Sequence, residues 1–191
     1  MRSIEKYERR TCSLAWGTYC KEYRNIQQML GYCKQCHSYG MLWTCPPFDG
    51  YDPTAGFSED MTIEIIGDLV YPSEELKKAV IAQQLSVREA CEMLFKEARA
   101  HLDKALLECE KEQPGSTVFF AGSCHVCPAE HCSRKKGAAC RFPRRMRLSL
   151  EAVGFDLNRT ASDLLHTEML WCKPNELCNY FTLVSGIVYP K

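Results

Sequence analysis

Seven of the thirteen cysteines in this 191-residue chain fall into two runs whose spacing suits metal chemistry. The downstream run is Cys124-His-Val-Cys127-Pro-Ala-Glu-His-Cys132 followed by Cys140, a C-x2-C-x4-C-x7-C pattern. Four thiols within 17 residues converge only if the chain wraps around something. A C-x2-C pair lets both sulfurs point inward from a tight turn, and four thiolates complete either tetrahedral zinc or a cubane iron–sulfur cluster. Zinc ribbons usually supply two C-x2-C knuckles. Here one pair has that spacing, three thiols crowd into nine residues, and Pro128 directly follows Cys127. That crowding is closer to ferredoxin-type binding runs, so the pattern favours an iron–sulfur (4Fe-4S) cluster over zinc.

The upstream run, Cys33-Lys-Gln-Cys36 followed by Cys45-Pro46-Pro47, offers three thiols. Cys20, Cys12 or His37 could supply a fourth ligand, and a closed site completed by Cys20 is the simpler expectation. Without a fourth protein ligand, a cubane would keep one iron open to substrate or solvent, and the site could be catalytic.

The other cysteines read as structural. Cys91 and Cys109 lie on an apolar helical stripe, where free Cys packs as a small hydrophobe. Cys172 and Cys178 straddle the turn-like Lys173-Pro174-Asn175-Glu176, and their x5 spacing matches no common metal motif. His125 and His131 sit inside the downstream loop; they could hydrogen-bond the metal-bound thiolates or stand in as ligands, with solvent exposure the simpler expectation. Between His131 and Leu150 lie Arg134, Lys135, Lys136, Arg141, Arg144, Arg145 and Arg147, with no acid among them. This basic segment fits a solvated face partly paired with the acidic stretch 57–112, compensation of a cluster's negative charge, or an anion site. Only Phe142 interleaves with the cations, which argues against single-stranded nucleic acid. Lys+Arg and Asp+Glu both number 24, so bulk charge argues for neither nucleic acid nor membrane.

The elements that must hold these loops are fewer and shorter than the loops suggest. Residues 1–55 read as an irregular Cys-rich module, broken by Pro46-Pro47, Asp49-Gly50 and Asp52-Pro53, with one short helix around residues 23–30. From 57 to 191 the pattern is an α+β core. A strand runs over 61–71 and ends at Pro72. Ser73 caps a long helical region, and a capping box at Ser86 and Glu89 divides it near residue 85. Pro114-Gly115 stops that region before a short buried strand at 117–121. A Cys-rich loop occupies 122–143. A helix is expected from Pro143 to Val153 with Gly154 as its cap, then a short strand at 155–157, a helix from Ser162 to about Leu170, and a final strand over 180–189. The sum is a single α+β domain over 1–191: a small sheet packed on one face against a long helix, with Cys-rich metal-binding loops. A composition of 46% hydrophobic and 25% charged residues suits one such core. No run approaches the ~18 apolar residues of a membrane span. Met1 to Arg10 lacks a signal-peptide apolar core, so a cytoplasmic protein is expected, and an odd count of thirteen cysteines excludes full disulfide pairing.

The two motifs together resemble a known family. Cys33-x2-Cys36-His-Ser-Tyr39-Gly40-x2-Trp43-Thr-Cys45-Pro46-Pro47 and Ala121-Gly122-x-Cys124-x2-Cys127 through Cys140-Arg141-x-Pro143 are similar to those of cysteine-rich, predicted metal-binding proteins of a domain-of-unknown-function family, mostly from anaerobic bacteria and archaea. The similarity continues through Ser149-Leu-Glu151-Ala-Val-Gly154-Phe-Asp156 and covers most of the chain from Cys33 onward. The resemblance implies metal binding, of the iron–sulfur kind, in the cytoplasm; it brings no established reaction. Cys12, Cys20, Cys91, Cys109, Cys172 and Cys178 lie outside the shared pattern.

The expected function is therefore a cytoplasmic metal-binding protein holding one or two iron–sulfur clusters. Cys124, Cys127, Cys132 and Cys140 hold the first; Cys33, Cys36 and Cys45 contribute to a second. It would transfer electrons to, or give redox support to, a partner protein. Two alternatives stay open: an enzyme whose three-cysteine cluster binds a small-molecule ligand at an open iron, and a zinc-stabilised binding module that uses the basic segment.

Overall fold

The computed structural model describes residues 2–191. The chain opens with strand β1 (Ile4–Ala15), which runs directly into helix α1 (Trp16–Tyr23) and then α2 (Ile26–Cys33). A stretch of turns leads to β2 (Thr62–Pro72), α3 (Glu74–Ile81), α4 (Val87–Glu112) and the short β3 (Thr117–Phe119). A second stretch of turns precedes α5 (Leu157–Leu165), and β4 (Phe181–Tyr189) completes an antiparallel sheet of order β1-β2-β4-β3. The architecture is the expected α+β mixture of a small sheet and a long helix.

The sheet is buried on both faces, not one. Side chains alternate across a strand, and β2 and β4 are apolar at both parities. Ile63, Ile65, Val184 and Val188 join Trp16, Tyr19, Phe155 and Leu165 under α1 and α5. On the opposite face Val70 and Phe181 pack with Leu76, Leu94 and Ala98 of α3 and α4. Farther along that face Ile66, Val118 and Ile187 meet Leu106 of α4. Helix α5 crosses β2 at Gly67, where a Cβ would stand 2.6 Å from Leu165 Cδ1.

Several local signals hold. Ser73 caps α3, the Ser86–Glu89 capping box opens α4, and Gly154 takes the left-handed conformation. Others do not. Residues 4–15, expected to be irregular, form an edge strand whose half-buried positions include Glu8 and Arg10, so its alternation is masked by charge. Charged residues are what edge strands commonly carry. The short helix expected around residues 23–30 lies at 26–33. The helix expected over 143–153 reduces to one 3-10 turn, Glu151–Val153. The segment before it is held elsewhere: Phe120 N–H donates to the Leu148 carbonyl (2.9 Å), and Arg147 pairs with Glu110 of α4 (Nε to Oε1, 2.9 Å). Helix α5 starts at Leu157 rather than Ser162 because Asp156 caps it, accepting from Arg159 N–H (3.1 Å). Among the described residues, no helix is long and apolar enough to cross a membrane.

Gly154 is a point where backbone conformation and packing coincide. Its φ is +99°, and a Cβ there would lie 2.8 Å from Ile26 Cγ1 and 3.0 Å from Ile26 Cα. Gly154→Ala should cost at least about 1 kcal/mol, read as a lower urea midpoint at unchanged m. An unchanged midpoint would show that this turn does not press against α2.

Candidate metal centre

The upstream thiols sit on successive tight turns. Cys33 ends α2, and backbone bonds from Cys36 N–H to Cys33 O (3.0 Å), Tyr39 N–H to Cys36 O (3.0 Å) and Cys45 N–H to Leu42 O (3.1 Å) coil the chain around the three sulfurs. Cys33 and Cys36 are close enough to raise the Cys45 pKa, though burial is the larger cause and takes it to about 11. Burial also raises Cys33, with Glu151 and Cys36 adding to the shift. The three thiols lie near enough to act on one another's charge but do not close around one point, and Cys20 is not with them. It lies in a separate cavity of about 650 Å³ with Arg24 and Asp52. Cys12 is on β1, paired with Ile65. The expected completion by Cys20 is therefore not seen, because α1 packs that residue beside the turn at Asp52 and away from the end of α2.

The downstream thiols share one cavity. Cys124, Cys127, Cys132 and Cys140 line a space of about 20 Å³. Part of its wall comes from the upstream loop, through Leu42, Trp43 and Thr44. Thr44 is buried in that wall, and its hydroxyl acts on the neighbouring Cys45, lowering a thiol that burial raises. Among the described residues, no three Cys, His, Asp or Glu side chains close around one point as ligands of a single ion.

One contact recurs at three of the sulfurs. Backbone N–H groups two residues on donate to sulfur at Cys36 (from Ser38, 3.5 Å) and Cys140 (from Phe142, 3.4 Å), and Val126 does the same for Cys124. Hydrogen bonds to the charged form lower a pKa. At Cys124 burial still outweighs that bond and raises the thiol.

The two loops are locked to each other and to α4. The Arg134 guanidinium, from the downstream loop, donates to three upstream carbonyls: Leu42 (2.7 Å), Cys45 and Pro47. Trp43 Nε1 donates back to the Ala138 carbonyl (3.1 Å). At the loop's stem, buried Arg99 of α4 pairs with Asp103 (2.8 Å) and donates to the Ser123 carbonyl, one residue before Cys124. Glu110 of α4 holds Arg147 and accepts from Val118 N–H (3.0 Å). Of the basic segment, Arg134, Arg141 and Arg147 are therefore engaged within the protein, while Lys135, Lys136, Arg144 and Arg145 face solvent.

Sequence reasoning missed Arg99, Thr44 and the reach of Arg134. Only Arg99 had a local signal, an Arg–Asp pair four residues apart on an apolar helix. His131 is exposed, and its carbonyl accepts from Arg141 (2.8 Å). His125 keeps an exposed edge, yet the surrounding protein and the Arg99 guanidinium push its pKa down to about 4, which keeps the ring neutral. Cys109 packs beside Leu106 as expected. Cys91 packs against the α3–α4 core but also meets Cys172.

These features coincide with a family assignment. Residues 19–187 match the family model described as "Predicted metal-binding protein (DUF2284)", and the chain belongs to that family. No curated protein and no solved structure matches the chain. The family's description agrees with four thiols around one cavity, whose wall is shared by the loop that carries Cys36 and Cys45.

Two outcomes are expected. Cys127→Ala should lose the metal at the downstream site and raise hydrogen exchange over residues 122–140, while α4, held by its own apolar stripe, stays protected. Unchanged metal content and protection would dismiss Cys127 as a ligand. Metal loading should also weaken as pH falls. Burial keeps Cys33, Cys45 and Cys124 protonated in the metal-free chain, so each thiol that binds must release a proton, at about tenfold in affinity per pH unit per proton. A chelator competition run across pH reads that slope, and a flat profile would mean that these thiols do not ligate.

Proposed function

We propose that the protein is a cytoplasmic electron carrier with two neighbouring iron–sulfur clusters, serving a redox partner protein. Cys124, Cys127, Cys132 and Cys140 would hold one cluster, and Cys33, Cys36 and Cys45 the other. The observation that carries the reading is the shared wall: Leu42, Trp43 and Thr44, from between Cys36 and Cys45, line the cavity of the four downstream thiols. When bound, each cluster supplies one-electron redox chemistry. The chain's own part is to place the sulfurs side by side, donate N–H groups to them and set cations nearby. Arg134 lies between the loops, and positive charge near a cluster favours its reduced state.

The cavity of about 20 Å³ has room for one ion, so a cubane requires the downstream loop to spread. That loop is built from turns and 3-10 segments with exposed or half-buried side chains, so the movement is opposed chiefly by the Arg134 and Trp43 hydrogen bonds to the upstream loop. Anaerobically purified protein should be brown, with broad visible absorption that bleaches on reduction and with iron matched by acid-labile sulfide. Stoichiometric zinc without sulfide would overturn the carrier and leave a zinc-stabilised module with a basic surface.

A second reading rests on a specific observation: Cys20 lies in the cavity with Arg24 and Asp52, apart from Cys33, Cys36 and Cys45. An open groove of about 960 Å³ reaches His37 beside Cys36, Cys124 and Cys127, with Glu92, Lys96 and the Arg99–Asp103 pair of α4 along it. A cluster with one exchangeable position at the upstream site would make the protein an enzyme for a small ligand that binds at the open iron. In that case Cys20→Ser leaves the upstream cluster intact and cyanide or a small carboxylate perturbs its paramagnetic resonance. Loss of the cluster in Cys20→Ser, with no response to added ligands, would close the site and leave the carrier.

A further inference from the structure

A third set of thiols lies outside both loops. Cys172 and Cys178 stand with their sulfurs 3.0 Å apart, and Cys172 Sγ also accepts from the Cys178 backbone N–H (3.4 Å). Cys91, on α4, brings a third thiol to Cys172. The turn between the pair is fixed: Lys173 and Glu176 exchange backbone hydrogen bonds of 3.1 and 3.3 Å, and their side chains pair at 3.2 Å. The sulfurs lie against the core formed by Leu94, Leu177 and Phe181 but remain partly open to solvent, next to the exposed Trp171. None of the three lines the cavity of the metal loops.

We propose that Cys172 and Cys178 are a redox-active dithiol that reduces organic disulfides by thiol–disulfide exchange. Cys172 is the sulfur on which the donors converge, which assigns it the attacking role. Burial and the neighbouring sulfurs push Cys91 and Cys178 to about 12, so both keep their protons; that of Cys91 reaches Cys172, and that of Cys178 has Cys172 Sγ and the Leu170 carbonyl (3.9 Å) as acceptors. The Cys172 sulfur attacks one sulfur of the external disulfide; that S–S bond breaks, and the first thiol leaves carrying the Cys172 proton. Cys178 then attacks the Cys172 sulfur of the mixed disulfide, closing the Cys172–Cys178 bond. The second thiol leaves with the Cys178 proton. Two electrons pass from the pair to the external disulfide, and no metal takes part.

The test uses the anaerobically prepared full chain and oxidised glutathione as the disulfide, with acid quenching, alkylation and tryptic mass spectrometry. Pro174 blocks cleavage after Lys173, so the peptide 160–191 carries both sulfurs, whereas Cys91 falls on 89–96. The expected product is peptide 160–191 without alkyl labels and lighter by the mass of two hydrogens. Cys178→Ser should stop at a glutathione adduct on Cys172. The wild-type result does not depend on any variant folding. Full alkylation of both cysteines in excess oxidised glutathione would overturn the proposal. So would an adduct that accumulates at Cys172 in the wild type without ring closure, or a cross-link between 160–191 and 89–96.

Discussion

The Arg134 guanidinium ties two irregular loops into one unit. Its partners, the Leu42, Cys45 and Pro47 carbonyls, belong to turns with no strand or helix to satisfy them. A buried carbonyl needs a donor, and charge-assisted bonds are roughly twice as strong as neutral ones. The planar fork of arginine meets several carbonyls at once, where lysine offers one mobile point charge. With Trp43 bonded in return to Ala138, each loop completes the other's surroundings. Part of the wall of the four-thiol cavity is consequently made by residues almost ninety positions upstream, and neither cysteine run stands alone.

That unit depends in turn on α4, a helix that needs no metal. Leu94, Ala98 and Leu106 bury it against the sheet, while Arg99 and Glu110 project to the two ends of the downstream loop. At 1.5 Å per residue those anchors stand about 16 Å apart, which fixes the span the loop must close. The scaffold and the loops thus draw on different sources of order. Apolar burial holds the first, while the second combines a few charge-assisted hydrogen bonds with thiols whose protons a metal must displace.

What was legible in the sequence follows from how local each signal is. The C-x2-C pairs, the capping box at Ser86 and Glu89, the glycine cap at Gly154 and the apolar runs of β2 and β4 are all set by neighbours within a few residues. β1 was hidden because an edge strand carries charge where a central strand carries valine or isoleucine. Residues 143–153 have a helix start and a helix stop, yet Phe120 and Glu110 hold the segment just before Glu151, and only a 3-10 turn forms. The docking of Arg134 onto Cys45 and the meeting of Cys91 with Cys172 join residues 89 and 81 positions apart, and no spacing rule reaches that far.

The contiguity of the two cysteine loops is the claim on which the rest turns, and paramagnetic resonance of the fully reduced, anaerobically prepared protein tests it most directly. The two proposed clusters, on either side of the wall formed by Leu42, Trp43 and Thr44, would give a signal broadened by spin–spin interaction. Removing the upstream cluster with Cys45→Ser then leaves the narrower spectrum of a single one. A wild-type spectrum that is the plain sum of two non-interacting centres, or one whose line shape is unchanged in Cys45→Ser, would contradict it.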